Sequence, residues 1–349
     1  MALTQRGKIV IGVVAVVTAA VVVVAVLAFT GNAPAPIQEI VDKATGKPTP
    51  CPLTGELRSG GKGTLARPLI AVKVENTDEA YPLAGLERAD VIYEEPVEGS
   101  ITRFAALFQC RDAGRVGPVR SARTTDPRIL VQYSDEPILS YSGANPKVEI
   151  ALEDAGVVSL TETSANDAFV RDEARSAPHN LFVSIKKLYV IAKQSGADFS
   201  LPDPVFRFDE EVPAPSKRRT SASVAFSPSN VVGWAWSKGS WVRQLDGATM
   251  RSESGTPIAV DNVVIQEVVV TDSNIVDVAG FPSPDVKLIG KGRAWILRDG
   301  RLIVGRWSRP SLGDVTVFQT KGGDEIALAP GTTLIQLVPK GEGEVTFAR

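Results

Sequence analysis

Three textures of hydrophobic and polar positions follow one another along the chain. The first is a solid apolar block. Positions 9–29 run for 21 residues without a charge, mostly Val and Ala. At ~1.5 Å per residue, a helix of that length reaches about 31 Å, enough to cross the hydrocarbon core of a bilayer. Arg6 and Lys8 stand just before it, and no Lys or Arg follows until Lys43. The asymmetry predicts a single transmembrane anchor over 9–29, with residues 1–8 cytoplasmic and the rest outside. A cleaved signal sequence is the alternative, with Ala33-Pro34-Ala35 as a small-residue cleavage site. The apolar part of such signals spans only about 7–15 residues, so the length favours the anchor. Residues 30–66 read as a stalk, with five prolines between 31 and 52 and then Gly60, Gly61 and Gly63.

The second texture, over 67–200, alternates short apolar runs with helical spacing. Strands are predicted at 69–74, 90–93, 101–108, 137–141 and 157–160. Asp126-Pro127 predicts a helix start, with Ile129, Leu130 and Tyr133 on one face. Asn145-Pro146 repeats the signal, Val148, Ala151, Leu152 and Ala155 follow at helical spacing, and Gly156 ends the run. Ser184 caps a third helix carrying Ile185, Leu188 and Ile191. Strands interleaved with helices predict an α/β N-terminal domain.

The third texture is β-rich. Residues 201–221 form a linker with Pro202, Pro204, Pro213, Pro215 and the basic run Lys217-Arg218-Arg219. Over 222–349 strands are predicted at 223–226, 231–236, 241–245, 262–270, 293–297, 301–307, 315–318 and 332–337, and Asp299-Gly300 marks a type I′ hairpin. This half reads as an antiparallel β domain or as a β-rich layer completing the first.

Composition narrows the function classes. Of 349 residues 44% are hydrophobic, and the net charge is −2, which gives no global reason for nucleic-acid binding. His179 is the one histidine, which excludes a multi-histidine metal centre. No GxSxG, phosphate-binding glycine loop or metal-ligand spacing occurs, so neither metal nor cofactor is expected. Cys51 and Cys110 both fall outside, where thiols oxidise. A disulfide is favoured over two separate buried thiols, and closing a loop of about 60 residues would add about 4 kcal/mol. Cys51 lies more than twenty residues past the apolar block, behind Thr49-Pro50, which argues against its lipidation.

Three clusters hold candidate chemistry. Glu94, Glu95 and Glu98 with Arg103 flank a Pro/Gly turn between two strands. A carboxylate pair there suits acid/base work on a glycosidic bond; a solvated hairpin paired to Arg103 is the plain alternative. Arg120 and Arg123, around Ser121 in a Gly117-Pro118 loop, suit a carboxylate or phosphate, or a structural pairing with Glu95 or Glu98. Ser121 has no evident partner as a nucleophile. The third cluster is Arg171-Asp172 and Arg175 to His179-Asn180, where Asn180 would orient His179 or contact a ligand.

Taken together these segments resemble the YerB-like family of bacterial surface lipoproteins. The resemblance rests on Arg67-Pro68, Val74-Glu75-Asn76, Val91-Ile92-Tyr93-Glu94, Pro96-Val97-Glu98-Gly99, Ile101-Thr102-Arg103-Phe104, Gly117-Pro118-Val119-Arg120-Ser121-Ala122-Arg123 and Ala177-Pro178-His179-Asn180-Leu181. In the β-rich half it rests on Asn262-Val263-Val264-Ile265-Gln266, Gly290-Lys291-Gly292-Arg293-Ala294, Gly305-Arg306-Trp307 and Ala329-Pro330-Gly331-Thr332. It spans roughly 51–340 and implies a two-domain envelope protein of mostly Gram-positive bacteria, linked to cell-wall synthesis, in a family largely of unknown function. The anchor departs from the lipoprotein pattern.

The leading expectation is a single-pass membrane protein that binds a cell-wall component, such as peptidoglycan, or a wall-synthesis partner. Its cleft would be lined by Glu95, Glu98, Arg103, Arg120, Ser121, Arg123, His179 and Asn180. One alternative is a hydrolase or lyase acting on wall glycan or peptide, with Glu98 or Glu95 as acid and His179 or the other carboxylate as base. Another is a partner-docking module built on Trp234, Trp236 and Trp241.

Overall fold

The computed structural model describes residues 48–59, 65–277 and 280–348. The anchor expected over 9–29 and most of the stalk lie outside the described residues. Among the described residues no helix is long and apolar enough to cross a membrane. The described residues divide into two units, 48–50 with 57–59 and 65–66, and 51–56 with 67–348. In the first, Thr49–Pro50 pairs antiparallel with Leu57–Arg58. The second carries everything that follows.

Its first half holds strands β1 (Ile70–Val74), β2 (Val91–Pro96) and β3 (Thr102–Phe108), helix α1 (Thr125–Leu130) and β4 (Ile138–Ser140). Helix α2 (Pro146–Asp154), β5 (Val158–Leu160), β6 (Phe169–Arg171), β7 (Leu181–Val183) and α3 (Ile185–Gln194) complete it. The Asn145 side chain accepts from the Lys147 amide at 3.0 Å, and Gly156 ends the α2 segment at φ 70°. Helix α3 buries Ile185, Leu188 and Ala192 and turns Lys186 and Lys187 outward, although Ser184 makes no side-chain cap. Asp126 is not the cap expected of it. Helix α1 starts two residues earlier, after Thr124, and the Asp126 carboxylate points to a buried ammonium instead.

The second half is all strand. It runs β8 (Lys217–Arg218), β9 (Ser221–Ser227), β10 (Asn230–Ser237), β11 (Ser240–Leu245), β12 (Ala248–Thr249) and β13 (Ala259–Val260). It continues with β14 (Asn262–Val276), β15 (Pro282–Lys287), β16 (Gly290–Arg298), β17 (Arg301–Arg309), β18 (Val317–Gln319), β19 (Thr333–Pro339) and β20 (Glu344–Ala348). Asp299 and Gly300 join β16 to β17 at φ 51° and 65°, the two left-handed residues a type I′ turn needs.

The β-rich half completes the first rather than standing apart. Among the described residues one sheet of twelve strands runs β8-β17-β16-β14-β19-β2-β3-β1-β4-β5, with β15 beside β14 and β18 beside β17. Strand β19 is the splice: it lies parallel to β14 and to β2, with Thr333 opposite Val91 and Gln336 opposite Glu94. Strands β1, β4 and β5 are also parallel neighbours. A six-stranded sheet, β12-β11-β10-β9-β20 with β13, covers one face of the long sheet together with α3. There Val224, Phe226, Trp234, Trp241, Ile185 and Leu188 meet Ile70, Val72, Ile92 and Phe104. Helices α1 and α2 cover the other face, where Ile129, Leu130, Val148 and Leu152 meet Ala71, Tyr93, Ala105 and Leu107. Burial on both faces explains why β1 is apolar at every position but Lys73. Trp234 and Trp241 are core residues, which removes the observation behind a tryptophan docking patch.

Cys51 and Cys110 form the expected disulfide, with Cα atoms 6.0 Å apart. It pins residues 51–56 to the end of β3. Thr54 O accepts from the Gly331 amide at 2.7 Å, and Glu56 pairs with Arg111 at 2.7 Å, so this segment is held by both halves.

Candidate functional site

Strands β1, β2, β4 and β5 all end at the same edge of the long sheet, and β3 begins there. Loops beyond such carboxyl ends are where open α/β sheets place ligands. The segment after β3 returns to this edge and wedges between β1 and β4. The Glu75 amide donates to Pro118 O at 2.9 Å, the Arg120 amide to Lys73 O at 2.9 Å and the Ser142 amide to Arg120 O at 3.0 Å. Gly117 makes this approach possible. It sits at φ 148°, and a Cβ there would lie 2.8 Å from Leu181 O and 2.9 Å from Val119 N. Arg120, Ser121 and Arg123 are thereby carried onto the edge.

Alternation along the strands puts Lys73, Glu95 and Arg103 on the α1–α2 face, with Glu95 directly opposite Arg103. Lys73 is fully buried between Glu95 and Asp126, with Nζ 2.7 Å from Asp126 Oδ1. Burial pushes its ammonium down to about 8 against the opposing pull of Asp126. Asp126 Oδ2 also accepts from the Arg123 amide at 2.6 Å. Arg103 donates to Ser121 O at 3.1 Å. Burial, then the neighbouring Arg123 and Arg120, push its guanidinium down to about 10.

Arg123 grips Glu98 Oε2 through Nε at 2.9 Å and Nη2 at 2.5 Å, and Ser283 on β15 donates to the other oxygen. Burial raises the Glu98 carboxyl, but the bonds from Arg123 and Ser283 outweigh it and hold it below its ordinary value. Arg120 stands 3.6 Å from Glu75, whose second oxygen meets His179 Nδ1 at 3.0 Å. Asn180 accepts from Arg171 at 3.0 Å; Arg171 also reaches Glu162 at 2.8 Å, and Ser142 donates to Glu162 at 3.1 Å.

The structure therefore brings Arg103, Arg120, Ser121, Arg123, Glu98, His179 and Asn180 to one sheet edge. Arg120, Ser121, Arg123 and His179 keep part of their surface in solvent. Glu95 is different: it is wholly buried against Lys73 and cannot touch a ligand. The acids of the first cluster do not form a solvated hairpin with Arg103. Glu94 points to the opposite face, where Arg243 holds it bidentately at 2.7 Å and Gln336 donates to it at 2.8 Å, across the join between the halves. Glu98 also lines a cleft of about 790 Å³ with Pro96, Phe226, Asp272 and Phe281, a lining that includes none of the three arginines. Among the described residues no group of three or more His, Cys, Asp or Glu is placed to hold a metal ion.

Sequence reasoning missed Lys73, Glu75, Asp126 and Glu162. Lys73 left a signal, as the one charge inside an apolar strand, Ile70-Ala71-Val72-Lys73-Val74. A lysine so placed calls for a buried acid.

The chain has counterparts in sequence and in fold. Residues 53–198 match the family described as protein of unknown function (DUF3048), N-terminal domain, and residues 222–335 match its C-terminal domain; the chain belongs to this family. It is 30% identical over 314 residues to YerB of Bacillus subtilis (strain 168), a candidate lipoprotein by name, covering 86% of this chain and 91% of the relative. The crystal structure of the YerB protein from Bacillus subtilis superposes with a TM-score of 0.72 at 26% identity, over 85% of this chain and 99% of that one.

Proposed function

We propose that this protein is anchored in the cell membrane by residues 9–29, faces the outside, and binds a carboxylate-bearing component of the cell wall. The carrying observation is the charge balance at the carboxyl edge. Arg123 and Arg120 lie close enough to Arg103 to depress its guanidinium, and Glu98 and Glu75 are the carboxylates that pull the other way. Arg120 reaches Glu75 through Nε only at 3.6 Å and donates from Nη1 to Pro178 O at 3.3 Å, and with 22% of its side chain exposed its Nη2 is left available to a ligand carboxylate. Ser121, His179 and Asn180 add polar contacts around it. Glu75 occupies His179 Nδ1, which leaves Nε2 to face a ligand. The lipoprotein name of the Bacillus subtilis relative supports a place at the outer membrane surface. A wall-synthesis protein presenting a carboxylate would use the same fork.

The hydrolase reading is weaker on chemistry. A general acid must arrive protonated. Glu98 is held ionised by Arg123, and Glu95 is sealed from solvent. The test is incubation of the purified chain with wall sacculi, followed by measurement of bound protein and of soluble fragments. Binding without fragments is expected. Steady release of fragments would install the hydrolase instead, and neither binding nor release would remove the wall as the ligand.

A further inference from the structure

We propose that Lys217, Arg218, Arg219 and Arg301 form a second binding site, for a linear phosphodiester polymer. In the ladder of β8 with β17, Arg218 stands opposite Arg301, and across the next ladder Arg301 stands opposite Arg298. Adjacent strands are about 4.8 Å apart, so three arginines form a row over three strands. Like charges directly opposite one another destabilise a sheet. Arg298 is satisfied internally: it is wholly buried and donates to Asp299 at 2.7 Å, Ala327 O at 3.0 Å and Glu210 O at 3.2 Å. The outer positions are not. Among the described residues no carboxylate stands within ion-pair distance of Lys217, Arg218, Arg219 or Arg301. Arg219 donates from Nη1 to Arg218 O at 2.8 Å but its buried Nε has no acceptor, and Arg301 has only the Ser216 hydroxyl at 3.4 Å. Lys217, Arg218, Arg219 and Thr220 line an open notch of about 460 Å³.

The donor count selects the ligand chemistry. A carboxylate offers two oxygens and one fork saturates it, whereas three guanidiniums and an ammonium can surround several phosphate oxygens at once. The geometry selects a polymer. Lys217 leaves β8 on the face of Leu302, and Arg218 leaves it on the face of Arg301. A flexible chain can follow both faces of an edge strand; a flat bilayer meets one. This site shares no residue with the carboxyl-edge cluster.

The test uses the full chain in neutral detergent and a short synthetic poly(glycerol phosphate), with affinity read against salt. Binding is expected to weaken steeply with salt, and Arg218→Gln should lower the slope of log K against log salt by about 1. Arg218→Gln with Arg301→Gln should weaken binding at least about tenfold, while Lys186→Gln, which removes the same charge from α3, should leave it unchanged. Melting curves confirm that each variant is folded. Equal affinity for polyglutamate would overturn the phosphate assignment. Binding to phosphatidylglycerol vesicles but not to the polymer would replace the ligand with a membrane. No binding to the polymer, or equal loss in Lys186→Gln, would remove the site.

Discussion

Arg120→Ala and Arg123→Ala should behave as opposites, although the two arginines are three residues apart. Arg123 makes two bonds to Glu98, and the paired side chains are 12% and 5% exposed. Removing it leaves Glu98 nearly buried with the Ser283 hydroxyl and its own backbone N–H but no cation bonded to it. Breaking a buried pair costs about 3–5 kcal/mol, and the residual solvent at Arg123 brings this to about 2–3 kcal/mol. Arg120 is 22% exposed and sits 3.6 Å from Glu75, which keeps His179 and Thr77 as partners. A pair of that kind contributes about 0–1 kcal/mol. For a chain of this size each kcal/mol moves Tm by about 2 °C. Thermal melts should therefore drop by about 4–6 °C for Arg123→Ala and by no more than about 2 °C for Arg120→Ala. Sedimentation with wall sacculi should show the reverse emphasis, with Arg120→Ala folded but no longer retained. If Arg120→Ala melts as early as Arg123→Ala, Arg120 is a structural ion-pair member and the site assignment fails.

Three further outcomes follow from the structure. The Glu98 carboxyl is held low in the folded chain, so its pairing stabilises above the unfolded value near ~4.3 and that advantage disappears as pH falls through the folded value; denaturant midpoints of wild type and Glu98→Gln should differ at pH 7 and converge in acid, and a constant gap would contradict this. Reducing Cys51–Cys110 releases a loop of 59-residue separation and should cost about 4 kcal/mol, read as a lower urea midpoint in dithiothreitol; an unchanged midpoint would mean the linkage does not restrain the unfolded chain. The fragment Ala35–Arg349 should stay soluble without detergent, and partitioning of that fragment into detergent would refute a single anchor over 9–29.

Local signals carried much of this structure. The Asn145-Pro146 start of α2 and the Asp299-Gly300 hairpin are written in neighbouring residues and appear where the pattern places them, and the strand read at 223–226 lies inside β9. The pairing of Cys51 with Cys110 was legible from compartment and count. The splice was not. Parallel pairing of β19 with β2 joins residues more than two hundred positions apart, and a strand buried on both faces shows no alternation to betray its neighbours. Arg243 illustrates the same limit: it shares the buried face of its strand with Trp241 and is fully buried on Glu94 from the other half, a partner that no neighbouring residue announces. The site clusters were visible as turns rich in charge, but which carboxylate meets which cation depended on the face each strand presents. That is why Glu95 looked catalytic and proved to be the partner of Lys73.

The central claim is that the partly exposed guanidinium of Arg120 reads a carboxylate of the wall. The most direct measurement is the Kd of a muropeptide released from sacculi, compared with the same muropeptide after every carboxylate is converted to carboxamide. A charge-assisted hydrogen bond contributes about 1.5–3 kcal/mol. The amidated form should therefore bind wild type about 10–150-fold more weakly, and Arg120→Ala should no longer distinguish the two. Equal affinity of wild type for both forms would contradict the account.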